Sequence, residues 1–202
     1  MRARLAAGAV PPATFRAELR AVPARDRDAW LDAVLDLDEV PDDGPALERG
    51  CVPYLPCAVD TLVRTIELAG VTAADVVVDL GAGVGRATTT LHLATGAAAI
   101  GLEVQPALVA RAHALVAGVG ARRVFTVAGR AEELVARAGC GTVFFLYCPF
   151  GGARLSQALA HLEAIARGHP IRVCAVDLPL PPTPWLDQVA ADGDLVVHRS
   201  RG

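Results

Sequence analysis

The chain has 202 residues and a mass of 20.9 kDa, room for one domain with a substantial core and not for two ordinary ones. Its 53% apolar content excludes extended disorder, and a formal net charge of -3 without a long basic run argues against a general nucleic-acid binder. Five cysteines, at 51, 57, 140, 148 and 174, are an odd number without C-x-x-C spacing. That excludes a disulfide framework or a zinc site and predicts reduced thiols in a cytoplasmic protein.

Met1 to Val10 imitates a signal peptide weakly, since Pro11-Pro12 ends its short apolar stretch. No apolar run is long enough to span a bilayer, so no membrane is expected as a partner. Residues 1–50 are rich in Ala, Arg and Asp. Thr14 to Val22 is predicted as a short helix. Asp26 to Val40 is predicted as a longer one, with Trp30, Val34 and Leu37 on one face and Leu31 and Leu35 beside them. Pro41-Asp-Asp-Gly-Pro45 then breaks the chain. This part is expected to be a helical N-terminal cap on a main domain of residues 51–202.

Residues 51–56, Cys-Val-Pro-Tyr-Leu-Pro, carry two prolines and are predicted non-helical. A helix is expected from Ala58 to Ala69, stopped by Gly70. Strand and helix then alternate. Val76–Leu80, Ala98–Leu102, Val124–Val127, Thr142–Tyr147 and Ile171–Val176 read as strands. Arg86–Ala94, Pro106–Val116, Ala131–Ala138 and Ala153–Arg167 read as helices between them. Continuous apolar strands indicate a parallel sheet covered on both faces, and the series indicates a doubly wound, mostly parallel α/β fold. A short helix at Trp185–Ala190 and an edge strand at Asp194–His198 are expected to follow.

The most informative segment is Val76-Val-Val-Asp-Leu-Gly-Ala-Gly-Val-Gly-Arg86. A buried strand runs into Gly81, Ala82, Gly83 and Gly85, and a helix follows. Without Cβ atoms such a loop turns tightly and admits a ligand to its backbone. A dinucleotide fingerprint would need glycine where Arg86 stands, and no Gly-Lys-Ser/Thr phosphate loop is present. Asp79 precedes the first glycine; it would repel a pyrophosphate and suits a cationic ligand. Glu103 ends the next strand at about the ~20-residue distance expected of an acid that binds ribose hydroxyls.

Asp79-Leu-Gly-Ala-Gly-Val-Gly85 with Ile100-Gly-Leu-Glu103 resembles the first two cofactor motifs of the class I S-adenosylmethionine-dependent methyltransferases. The similarity covers residues 51 to 177. Within that superfamily, the loop with Ala94-Thr-Gly and Gly-Leu-Glu-Val-Gln-Pro106, together with Val52-Pro-Tyr-Leu-Pro56, resembles the non-SET histone-lysine methyltransferases and their bacterial relatives. The resemblance implies a Rossmann-like methyltransferase fold, S-adenosyl-L-methionine as cofactor, no metal, and methyl transfer to a protein side chain or a small molecule. A cofactor-binding module without catalysis is the alternative; Arg86 and Asp79 argue against a nicotinamide oxidoreductase.

The chain departs from the family pattern twice. Arg130 stands after the third strand, where an acid for the adenine amino group is common, and leaves Arg130 and the Ala131 backbone as the adenine-side candidates. Glu132 could also substitute for that acid, although it and Glu133 read more simply as first-turn helix acids. At the end of the fourth strand, Tyr147-Cys-Pro-Phe-Gly151 has Cys148 where amino-methylating relatives carry Asn or Asp. Tyr54 and Tyr147 are the candidate catalytic residues. The five histidines show no catalytic or metal spacing.

Overall fold

The computed structural model describes residues 1–42 and 51–201. The chain break expected at Pro41 to Pro45 lies mostly outside the described residues. Three helices come first: α1 (Arg2–Ala6), α2 (Pro12–Ala21) and α3 (Arg27–Leu35), the last preceded by a 3-10 turn at Ala24–Asp26. The signal-like N-terminus is therefore helix α1. Pro12 opens α2 at a position where its missing N–H costs nothing. Helix α3 stops at Leu35 rather than Val40, because Asp36 takes the left-handed conformation that Asp tolerates at a helix end.

The main domain contributes α4 (Val59–Ala69), α5 (Arg86–Thr95), α6 (Pro106–Val119), α7 (Ala131–Leu134) and α8 (Gly152–Ala166). Its strands are β1 (Val76–Leu80), β2 (Ala98–Glu103), β3 (Val124–Ala128), β4 (Val143–Tyr147), β5 (Arg172–Val176), β6 (Leu186–Asp192) and β7 (Leu195–Ser200). They form one sheet in the order β3-β2-β1-β4-β5-β7-β6. The first five are mutually parallel, while β7 runs antiparallel to both β5 and β6.

Two expectations fail at the C-terminal end. Trp185 to Ala190 is not a helix, because residues 186–192 form strand β6. The apolar residues Trp185, Leu186, Val189 and Ala190 imitate a helical period, but Gly193-Asp194 makes a two-residue hairpin turn, with Gly193 at φ 61°. Strand β7 is accordingly the second strand from that side, and β6 is the edge.

Two apolar layers cover the sheet. Phe15, Leu19, Leu31 and Leu35 of the N-terminal helices share a cluster with Val77, Phe145 and Cys174 of the sheet. On the other face α7 and α8 pack over Val78, Phe144 and Leu146. The cap is thus one flank of a common core. Strand order reverses between β1 and β4, and an open α/β sheet offers a binding crevice beyond the strand ends at such a switch point. Among the described residues no helix is long and apolar enough to cross a membrane.

Candidate functional site

The crevice is occupied by a cleft lined by Gly81 and Gly83 after β1, Glu103 and Gln105 after β2, Ala131 and Glu132 of α7, and Tyr147 and Cys148 at the end of β4. The segment 51–55 forms its roof, with Tyr54 at the centre.

The glycine loop is folded back on the sheet. The amides of Gly81 and Ala82 both donate to the Leu102 carbonyl, at 2.9 and 3.0 Å. Gly81, Gly83 and Gly85 all have positive φ, at 84°, 55° and 76°. At two of them space also demands glycine. A Cβ on Gly81 would lie 2.7 Å from the Pro149 side chain, and one on Gly83 would fall 2.3 Å from the Tyr54 ring. Tyr54 therefore presses one ring edge against the loop.

Glu103 is buried, and both its oxygens are fixed. Oε2 accepts the Gly83 amide at 2.8 Å and Oε1 accepts the Gln105 amide at 2.8 Å. Each oxygen keeps further lone-pair capacity on a carboxylate that is already oriented. The carboxylate thus meets the requirement for gripping a vicinal diol in the cleft.

Of the predicted residues, Gly81, Gly83, Glu103, Ala131, Tyr54 and Tyr147 line the cleft. Four do not. Ala82 is buried under the loop against Gly101, and Gly85 packs on Ala112 as the start of α5. Asp79 is 2% exposed and does not line the cleft; it accepts the Thr88 hydroxyl at 2.6 Å. Burial pushes its pKa up to about 7 against the pull of Thr88, and Glu103 adds to the rise. Strand alternation puts Asp79 behind the glycine loop, within electrostatic reach of Glu103 and Tyr54. Arg130 is not in the cleft lining either; its half-exposed guanidinium lies 3.4 Å from Glu133.

The two adjacent acids differ. Glu133 is the solvated one, whereas Glu132 is buried in the cleft wall and paired with Arg154 of α8 at 3.1 Å. Arg154 also donates to the Cys51 sulfur at 3.3 Å. The sequence favours a plain helix acid at Glu132, with the adenine role as its alternative, and gives no signal for Arg154. Their 22-residue separation carries no local signal, so only the fold brings them together.

The phenols are poor bases. Burial pushes the Tyr54 pKa up to about 12, with Arg86 opposing and Asp32 and Asp79 reinforcing the shift. Burial likewise raises Tyr147. Both stay protonated near neutral pH and can donate or accept hydrogen bonds. Cys148 has φ 32°, and burial followed by the Asp177 charge raises its thiol pKa. It is therefore no thiolate nucleophile. Among the described residues no His, Cys, Asp and Glu cluster could hold a metal ion.

No protein-family model matches the chain, and no curated protein matches it in sequence. Solved structures do match. An RNA methyltransferase from Salinibacter ruber, in complex with S-adenosyl-L-homocysteine, is 27% identical over 72% of this chain and 92% of its own, with a TM-score of 0.54. A methyltransferase from Geobacter sulfurreducens is 20% identical over 89% of this chain and 98% of its own, at 0.57. A variant of MtNAS in complex with S-adenosylmethionine is 12% identical over 71% of this chain and 61% of its own, at 0.58. With five parallel strands, an antiparallel β6–β7 pair and helices on both faces, the chain has the Rossmann-like methyltransferase fold.

Proposed function

We propose that the protein is an S-adenosylmethionine-dependent methyltransferase whose acceptor is a protein side chain or a small molecule. The observation that carries this reading is Glu103, held by the Gly83 and Gln105 amides inside the cleft beside the glycine loop. S-adenosylmethionine, when bound, supplies a methyl group on a sulfonium, open to in-line displacement. The chain's own part is to bind and align, which such a transfer chiefly needs. Glu103 grips the ribose, Gly81 and Gly83 admit the ligand to the backbone, and Ala131 borders the adenine. Tyr54 closes the roof and excludes water. Tyr147, at the end of β4, presents a neutral phenol to the acceptor.

Likeness to a Salinibacter ruber RNA methyltransferase shows that the fold admits nucleic-acid acceptors. The net charge of -3 favours another acceptor here. The Val52-Pro-Tyr-Leu-Pro56 roof supports kinship with the non-SET histone-lysine methyltransferases, and with it a protein acceptor.

Calorimetry with S-adenosylhomocysteine and NADH tests the cofactor. The first is expected to bind and the second is not; the reverse result sinks the proposal. Glu103→Ala should weaken S-adenosylhomocysteine by roughly 30- to 150-fold, the loss of two charge-assisted bonds. Incubation with methyl-labelled cofactor and a host lysate then identifies the acceptor.

A further inference from the structure

The roof segment 51–57 is pinned at both ends. Cys51 forms a bridge with Phe150, and the Val52 amide donates to the Pro149 carbonyl at 3.3 Å. At the other end the Cys57 carbonyl accepts from Arg86 Nη1. Tyr54 stands between the pins, against Gly83.

Arg86 is the first residue of α5, directly after the glycine loop, and is 3% exposed. Its other two donors reach α3: Nε to Asp32 Oδ1 at 2.6 Å and Nη2 to Asp28 Oδ1 at 2.8 Å. The same Asp28 oxygen accepts the amide of Val59, the first residue of α4. Burial opposes the Arg86 charge, but the bonds to Asp32 and Asp28 outweigh it and hold its pKa above the ordinary value.

Charge neutralisation alone would account for two of these bonds. The third goes to the roof, and a planar guanidinium fixed by two carboxylates can aim it in only one direction. We infer that Arg86 is a positioning residue: the α3 carboxylates set its plane, and it sets the strap that keeps Tyr54 over Gly83. Helix α3 contributes no side chain to the cleft wall, yet it controls how tightly the cleft holds its cofactor. This rests on the reading of the cleft as an S-adenosylmethionine site.

The test uses the whole protein, with S-adenosylhomocysteine calorimetry and amide hydrogen exchange. Asp32→Asn removes the charge that orients Arg86 and keeps the size of the side chain. Affinity is expected to fall about tenfold, within the range of coupling through a contiguous network. Amides of residues 52–57 should exchange faster. In a Tyr54→Ala background Asp32→Asn should cost nothing more, since the element through which it acts is gone. Arg86→Lys should reproduce the pattern and replaces Asp32→Asn should that variant fail to fold. Wild-type affinity with unchanged exchange overturns the inference, as do losses that add in the double variant. Wild-type protein that fails to bind S-adenosylhomocysteine refutes the cofactor reading instead, and exchange at 52–57 still decides the role of Arg86.

Discussion

At the scale of single residues, two carboxylates that look alike in sequence part company. Glu103 was legible as a candidate from its distance behind the glycine loop, and it does line the cleft. Its burial was not legible. A strand-end position does not reveal whether an acid is solvated, and Glu103 is 6% exposed and satisfies two backbone amides. Its removal should therefore lower thermal stability as well as affinity, so early melting alone does not argue against the ribose role. Asp79 behaves in the opposite sense. Its pKa is raised from 3.8 to about 7 in the folded chain, so folding disfavours its ionised form. The folded state binds the extra proton between these values, and stability falls as pH rises from about 4 to 7. Asp79→Asn keeps an acceptor for the Thr88 hydroxyl and removes the titration. Its melting temperature is expected to exceed that of the wild type at pH 8, to match it near pH 4, and to lose the slope between. Thermal scans across that range check this. An Asn variant with wild-type slope would place the titration elsewhere.

At the scale of elements, the first five strands could be read almost to the residue. Four of them, β1, β2, β4 and β5, lie inside the sheet and are largely apolar, while β3 is an edge with only Val124 and Thr126 buried; in all five, short length and β-branched or aromatic content favour strand over helix. Strand β6 lacked this signal: its sequence Leu-Asp-Gln-Val-Ala-Ala-Asp is nearly half polar, and only Leu186 is buried among its seven residues. The glycine loop lies between these cases. Three glycines announced tight turns, yet nothing local showed that the partner across Gly83 is Tyr54, 29 residues earlier. Gly83→Ala tests that contact. A left-handed backbone costs an L residue roughly 1–2 kcal/mol, and the new methyl would also collide with a ring edge. The variant should lose S-adenosylhomocysteine binding and stability together. Adding Tyr54→Ala should recover part of the stability, because the collision is gone while the backbone cost stays. A double variant no more stable than Gly83→Ala would show that the ring does not press on the loop.

At the scale of the whole molecule, α2 and α3 were readable as helices and α1 was not, and none of the three was readable as half of a core. Amphipathic spacing reveals that a face is apolar; it does not reveal what covers it. Phe15, Leu19, Leu31 and Leu35 are fully buried in the cluster that covers one face of the sheet. Asp28 and Asp32 neutralise Arg86. Removing residues 1–42 would bare that face and leave a buried cation without its carboxylates, a change that strongly destabilises. The truncated chain is expected to be insoluble or to bind the fluorescent dye ANS as a loosely packed state. A soluble truncation with cooperative melting would make the cap dispensable.

The hairpin of β6 and β7 sets the order in which the chain can be finished. Residues 1–176 contain both flanks of the cleft, the glycine loop, Glu103 and Tyr147, and all of these leave the ribosome before the sheet is complete. Until residues 195–200 emerge, β5 presents a bare row of donors and acceptors on a strand of buried apolar residues, the form of edge that recruits other chains. The last strand then enters between β5 and β6 rather than adding outside them. A nascent chain stalled between these points would hold an assembled binding crevice and an adhesive edge at once, and the ligand of that crevice would be its earliest stabilising partner.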